Sequence, residues 1–401
     1  MPPTATHHRH RLTVPASRRP PAPGGGGVPG RHARLLTALG RATPALCGYL
    51  TVRLLGLLVL ARWVHIQGHG LWPTLAASWD SHWYLGIADH GYQRELGTEL
   101  DSNNLAFFPL YPLLIKAGAA VTPGSRASVA LVLAALASLA AAWGIFAVGD
   151  RVSGRRTGTV LAVLWGASPV GIVQWMGYTE SLFTALTAWS LYAALKGRWL
   201  WAGWLAVLAG LTRPTGIAVA AAVSLCGLLA YVRTRERRAL AGAVIAPLGW
   251  CGFVAWVGQR VGRWDGYFAV QRLWRNPWDG GMRTLWELRQ NLAYDASPML
   301  WLVLVSLVLT VSVGLYVLCL ADRQPLVLVV FTGVLLLVVL GSGGVYFPRA
   351  RFLMPAFPLL LPIAAGVARA RRPVAVMVLG GAALMSAWLG AYQLLVWTGP
   401  P

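Results

Sequence analysis

The sequence predicts an all-α, polytopic helical membrane protein, and three observations carry that expectation. Of 401 residues, 56% are hydrophobic and only 12% are charged, where a soluble domain has about 25% charged residues. The apolar residues come in runs that approach the roughly 20 residues needed to cross a hydrocarbon core. The Lys and Arg residues behind the net charge of +21 sit in short clusters between those runs, the arrangement that sets membrane orientation. A nucleic-acid partner would need them spread over one solvated surface.

Residues 1–44 carry Arg9, Arg11, Arg18, Arg19, Arg31, Arg34 and Arg41, no acid, many prolines and four glycines from Gly24 to Gly27. Such a stretch cannot bury a core and is expected to be a disordered cytoplasmic tail. His7, His8 and His10 read as tail composition ahead of a loose metal site. No cleavable signal peptide is expected, because the first apolar run starts late and is too long for an h-region. Cys47, Cys226, Cys251 and Cys319 all fall in apolar segments with no C-x-x-C pair; they read as small core residues.

Residues 45–401 are expected to form one transmembrane catalytic domain with about 11 crossings, at 45–65, 127–149, 157–175, 180–195, 199–211, 215–232, 240–260, 298–320, 325–340, 352–367 and 373–397. With the tail inside, the first span leads to an outer loop at 67–126. The apolar piece at 107–122 in this loop contains Pro109, Pro112 and Lys116 and is followed by Pro123. If it crossed, Arg151, Arg155 and Arg156 would lie outside, against the positive-inside rule, so it is expected to lie along the outer interface as a juxtamembrane helix. Arg233, Arg235, Arg237 and Arg238, and later Arg369, Arg371 and Arg372, then fall inside. A second outer loop covers 261–297.

The acids give a separate check, since the rule counts only Lys and Arg. Ten of the thirteen carboxylates, Asp80, Asp89, Glu95, Glu99, Asp101, Glu180, Asp265, Asp279, Glu287 and Asp295, fall outside; Asp150, Glu236 and Asp322 fall inside. Asp80 lies between Trp79 and Trp83 next to the membrane, where desolvation would move a carboxylate toward general-base range. Glu180 follows Tyr178 and Thr179 at a helix start, where helix capping competes with a catalytic role. Asp80 with His82, or Asp89 with His90, fits no strong metal template, so no metal ligand is assigned and a divalent metal is admitted without being required.

Opposite these acids stand Lys116, Arg213, Arg349 and Arg351. A guanidinium fork suits phosphate oxygens, and Arg213-Pro214 breaks a long apolar region at the outer side, which points to a cavity dipping into the membrane. Trp264, Tyr267, Trp274, Trp278 and Trp286 in the second loop offer flat faces to a sugar ring, although interface packing accounts for each one singly. Acids, phosphate-binding cations and aromatic faces together point to glycosyl transfer from a lipid phosphate. No G-x-G-x-x-G nucleotide motif is present.

Five blocks carry a resemblance. They are Trp79-Asp80-Ser81 through Gly91-Tyr92; Phe107-Phe108-Pro109-Leu110-Tyr111-Pro112; Ser168-Pro169 with Tyr178-Thr179-Glu180-Ser181-Leu182-Phe183; Arg213-Pro214-Thr215-Gly216; and Arg351-Phe352-Leu353-Met354-Pro355. In this order, over residues 79–362, they resemble the class V glycosylphosphatidylinositol mannosyltransferases (PIG-V), in particular their bacterial relatives. The resemblance implies a GT-C glycosyltransferase fold, a polyprenyl-phosphate-mannose donor and catalysis on the outer face. It implies that Asp80 is the essential acid of the first outer loop. The expected site is then Asp80 and Glu180 as catalytic acids, Arg213, Arg349, Arg351 and Lys116 on the donor phosphate, and Trp79, Trp83, Tyr111 and Tyr178 on the substrate. The acceptor is left as a glycolipid or glycan. The main alternative is a transporter or a flippase of lipid-linked sugar, since broken helices with intramembrane arginine also mark substrate pathways.

Overall fold

The computed structural model describes residues 31–401. Residues 1–30, including His7, His8 and His10, lie outside the described residues. Helix α1 (Arg31–Gln67) begins before the expected boundary at residue 44 and carries Pro44 within it. Alanine, leucine and arginine dominate residues 31–44 and favour helix.

The first loop is itself helical: α2 (Leu71–Ala76), α3 (Asp80–His90) and α4 (Leu110–Val121). Next come α5 (Arg126–Ser153), α6 (Arg155–Gly166), α7 (Glu180–Leu195), α8 (Trp199–Gly210) and α9 (Gly216–Thr234). Helices α10 (Arg237–Ile245) and α11 (Leu248–Arg260) form one apolar rod broken at Ala246-Pro247. The second loop holds α12 (Gly266–Leu273) and α13 (Met282–Arg289). The chain ends with α14 (Leu300–Ala321), α15 (Leu326–Gly341), the four-residue α16 (Arg349–Phe352), α17 (Leu361–Arg369) and α18 (Arg372–Leu395). Among the described residues there is no β-strand, only an antiparallel bridge between Trp278 and Ser342.

Every one of the eleven expected apolar segments contains helix, but among the described residues six helical stretches are long and apolar enough to cross a membrane. Proline accounts for much of the difference. The segment expected at 157–175 stops at Gly166, because Pro169 disfavours helix at Ser168, and resumes as a 3₁₀ turn at Gly171–Trp175. The segment expected at 352–367 is divided by Pro355 and Pro358, with a 3₁₀ turn at Phe357–Leu360. The other apolar helices are shorter: α4, α6 and α8 have 12 residues each, about 18 Å of helix.

Small residues let these helices approach. Helices gain little from apolar burial in lipid and depend on close packing instead. A Cβ on Gly149 of α5 would stand 2.6 Å from the Gly158 backbone of α6, so neither position admits a side chain. Polar side chains tie the stack: Trp165 Nε1 donates to the Met354 carbonyl at 3.1 Å, and Ser190 donates to the Ala202 carbonyl at 2.8 Å. Helix α7 is buried along most of its length, and its first residue is Glu180.

Candidate active site

Four breaks in the helices bring charge to one place. The first precedes α3. Trp79 has φ 46° and ψ −113°, the geometry of the first central residue of a type II′ turn, which favours glycine. The Ser81 amide closes that turn on the Ser78 carbonyl at 3.2 Å. A non-glycine residue held there carries strain of order 1–3 kcal/mol, a feature that gathers at functional sites. The strained turn sets Asp80 at the start of α3.

The second break places Glu180 at the start of α7, after the loop 176–179. Thr179 occupies the capping position but makes no cap hydrogen bond. Its hydroxyl instead meets Arg213 Nη1 at 2.9 Å and the Tyr84 hydroxyl at 3.0 Å. The third is the reversal between α8 and α9 at Arg213-Pro214. A Cβ on Gly216 would fall 2.7 Å from the Gly210 Cα, so glycine is needed for the two helices to close on each other and aim Arg213 inward. The fourth is the loop after α15, which ends in α16 with Arg349 and Arg351, both buried.

These residues form a charge network. Arg351 Nη2 donates to Asp80 Oδ2 at 2.5 Å, and Arg351 Nε lies 3.5 Å from Glu180 Oε1. Glu180 Oε1 also lies 2.6 Å from Arg213 Nη1. Arg351 stacks over the Tyr178 ring at 5.0 Å, and Arg213 and Arg351 both lie 5.4 Å from the Phe352 ring, distances at which a cation is attracted by the ring face. The Asp80 amide donates to the Tyr178 hydroxyl at 3.3 Å. Burial disfavours the charge on Arg351, yet Asp80 and Glu180 outweigh it and hold its pKa above the usual arginine value. Burial, reinforced by Asp80, pushes the Tyr178 phenol well up, so it stays protonated.

A cavity of about 260 Å³ opens beside the network. Asp80, Arg213, Arg349 and Arg351 line it with Tyr84, Thr215, Gln271, Trp274 and Asn276; Val338, Val339, Val345 and Phe347 form an apolar wall. Glu180 does not line it. With 1% exposure, Glu180 sits behind Arg213 and Arg351. Five buried polar atoms of Glu180, Arg351 and Thr215 make no hydrogen bond: Glu180 Oε1 and Arg351 Nε, which meet only as ion-pair partners, and Glu180 Oε2, Arg351 Nη1 and Thr215 Oγ1. Leaving such an atom unpaired costs about 1–3 kcal/mol, a cost that a polar ligand in the cavity would remove from Arg351 and Thr215.

The remaining expected residues are placed differently. Arg349 lines the cavity, but its donors already reach the Thr284 hydroxyl, the Ser342 carbonyl at 2.6 Å and the Gly344 carbonyl at 2.9 Å. It fastens the loop that carries Arg351, and burial pulls its pKa below the usual arginine value. Lys116 is exposed on α4 and does not line the cavity. Tyr111 is fully buried and donates to the Ala130 carbonyl at 2.7 Å, which spends its hydroxyl on packing. Trp83 stacks on Phe107 at 5.4 Å and meets Trp274 edge-on at 5.2 Å. Of the second-loop aromatics Trp274 alone lines the cavity, whereas Trp264, Trp278 and Trp286 are exposed and Tyr267 packs under Phe108.

Thr179 and Tyr84 enter the network without having been expected. A threonine before an acid at a helix start reads as a cap, which conceals a hydroxyl serving an arginine 34 positions away. Among the described residues no three His, Cys, Asp or Glu side chains gather as a metal group.

With this geometry, a family model described as mannosyltransferase (PIG-V) matches residues 63–248. Residues 63–248 are thus similar to the PIG-V mannosyltransferases. The matched stretch contains Asp80, Glu180 and Arg213 and ends before Arg349 and Arg351, so the part played by the latter two rests on the contacts above. Similar curated proteins are the GPI alpha-1,6-mannosyltransferase 2 of Cricetulus griseus, 33% identical over 149 residues, and that of Mus musculus, 32% identical over 154 residues. Each match takes in 35% of this chain and 29% of the relative's own length. Among solved structures, ArnT from Cupriavidus metallidurans bound to undecaprenyl phosphate is similar with a TM-score of 0.50 at 13% identity, over 85% of this chain and 61% of that one. That likeness shows the fold alone, an all-helical arrangement in a multi-pass membrane protein.

Proposed function

We propose that the chain transfers mannose from a polyprenyl-phosphate-linked donor to an extracytoplasmic glycolipid or glycan acceptor by a single inverting displacement. The observation that carries this reading is the convergence of Asp80, Arg213 and Arg351 on one cavity, with an unspent guanidinium nitrogen of Arg351 beside it. The stretch that matches the PIG-V model supports the sugar. The name of the structural relative, bound to undecaprenyl phosphate, supports the lipid donor.

Asp80 already accepts a hydrogen bond from Arg351 through Oδ2, and its carboxylate serves as an acceptor. Asp80 takes the proton of an acceptor hydroxyl as its oxygen attacks the anomeric carbon through an oxocarbenium-like transition state. The new bond joins the acceptor oxygen to the anomeric carbon; the bond from that carbon to the phosphate oxygen breaks, and its electrons leave on the lipid phosphate. That charge needs preorganised cations. Arg351 and Arg213 supply them, held by Glu180 from behind. The cavity, a little below the 300–1,000 Å³ usual for ligand pockets, suits one sugar and its phosphate, and the apolar wall from Val338 to Phe347 gives the lipid chain a way out beside α15.

The extracytoplasmic side follows from charge. With the clusters at Arg233 to Arg238 and Arg369 to Arg372 inside, the α3, α7, α9 and α16 starts fall on the outer face, with the N-terminus in the cytoplasm.

The test is to give purified protein in lipid a polyprenyl-phosphate-mannose labelled in the sugar. Transfer predicts that label moves to acceptor while free polyprenyl phosphate accumulates in equal amount. Movement of intact donor between leaflets without cleavage would refute transfer and favour a flippase.

A further inference from the structure

A second cavity, of about 730 Å³, lies among the ends of α5, α7, α14, α15 and α17. Helix α7 connects the two sites: it starts at Glu180 in the charge network and ends at Leu195, which lines this cavity. Sixteen residues at 1.5 Å each separate them by about 24 Å. Helix α15 repeats the relation, with Pro325 before its start at the second cavity and Val338 and Val339 near its end at the first. The second cavity is therefore at the opposite end of the bundle.

Its wall is cationic and incompletely paired. Arg151, Arg323 and Arg369 line it against one acid, Asp322. Among the described residues none of the three guanidiniums makes a side-chain hydrogen bond or an ion pair, in contrast to the neighbouring Asp150, which is held by Arg41 at 2.8 Å. The rest of the wall includes Leu318 and Leu361, so the cavity is basic and greasy at once. Just beyond it, Arg156 donates to the Ala370 carbonyl at 3.1 Å, and Arg371 and Arg372 follow directly.

We infer that this cavity binds the phosphate headgroup of an anionic phospholipid, with its acyl chains lying along the adjoining leucines. Three guanidinium forks with free donors match phosphate oxygens. Basic pockets between helix ends on the cytoplasmic side hold such headgroups, and the apolar part of the wall favours a lipid over free phosphate. The site takes no part in sugar transfer and stands whether or not the active-site reading does.

The experiment is native mass spectrometry of the detergent-solubilised full chain with equal phosphatidylglycerol and phosphatidylcholine, repeated with millimolar inorganic phosphate. The expected result is about tenfold or greater retention of phosphatidylglycerol, unaffected by inorganic phosphate, and loss of the preference in an Arg151→Gln, Arg323→Gln, Arg369→Gln variant that keeps its transfer rate. Equal retention of the two lipids by the wild-type chain overturns the inference, and so does an undiminished preference in the variant. Displacement of phosphatidylglycerol by inorganic phosphate overturns the lipid and assigns the site to a soluble anion. The wild-type comparison needs no variant and decides the matter should the substituted chain fail to fold.

Discussion

Arg351 and Asp80 are 271 positions apart in the chain and 2.5 Å apart in space. The same guanidinium also approaches Glu180, so a residue outside the stretch that matches the PIG-V model joins the two acids inside it.

Removing Arg351 leaves Asp80 and the fully buried Glu180 short of a counter-ion. Breaking a buried pair from one side costs about 3–5 kcal/mol. Arg351→Ala is expected to lose that much stability in detergent unfolding and at least about a hundredfold in transfer. Arg351→Lys restores the point charge without the fork, and is expected to recover most of the stability while remaining well below wild-type rate.

Glu180 and Arg213 act as one unit. With side chains 1% and 9% exposed and 2.6 Å apart, they are expected to couple by about 0.5–3 kcal/mol. A double-mutant cycle on Glu180→Gln and Arg213→Gln, read by unfolding, is expected to show the double variant less damaged than the sum of the singles. Strict additivity would place Glu180 outside the network.

The strain at Trp79 can be isolated by comparing two substitutions that both delete the ring. Glycine tolerates the positive φ and alanine does not. Trp79→Gly is expected to be more stable than Trp79→Ala by about 1 kcal/mol or more, the reverse of the order in an ordinary helix or strand. Equal stability would mean that the turn before Asp80 is unstrained.

Arg349 touches the cavity, yet its donors end on the loop that precedes it and on Thr284 of α13. Arg349→Gln is expected to lower the unfolding temperature and the turnover rate together, with the KM for the lipid donor changed less than about threefold, because uniform binding is not what it contributes. A selective rise in donor KM would return Arg349 to the phosphate.

Much of this was legible in the sequence. The apolar runs were found where helices stand, and Asp80, Glu180, Arg213 and Arg351 stood out because charge next to lipid needs a reason. What one dimension concealed was pairing. A carboxylate beside two tryptophans reads as desolvated, while the structure gives Asp80 an arginine from the far end of the chain. Arg349 and Arg351 look equivalent two residues apart, yet one is spent on loop carbonyls and the other keeps a free nitrogen. Lys116 reads as a cation opposite the acids and Tyr111 as part of an aromatic block, but α4 turns the lysine to its exposed side and buries the tyrosine. Fewer long spans stand in the structure partly because Pro169 and Pro355 cut runs that hydropathy alone joins.

The central claim is that Asp80 accepts the acceptor's proton while the lipid phosphate leaves toward Arg351 and Arg213. The most direct measurement is the single-turnover rate of mannose transfer from a labelled polyprenyl-phosphate donor by wild-type and Asp80→Asn protein in the same lipid. Asparagine keeps the shape and loses the proton acceptor. The expected loss is about 100- to 10,000-fold with donor binding retained. A rate within about tenfold of wild type would contradict Asp80 as the base.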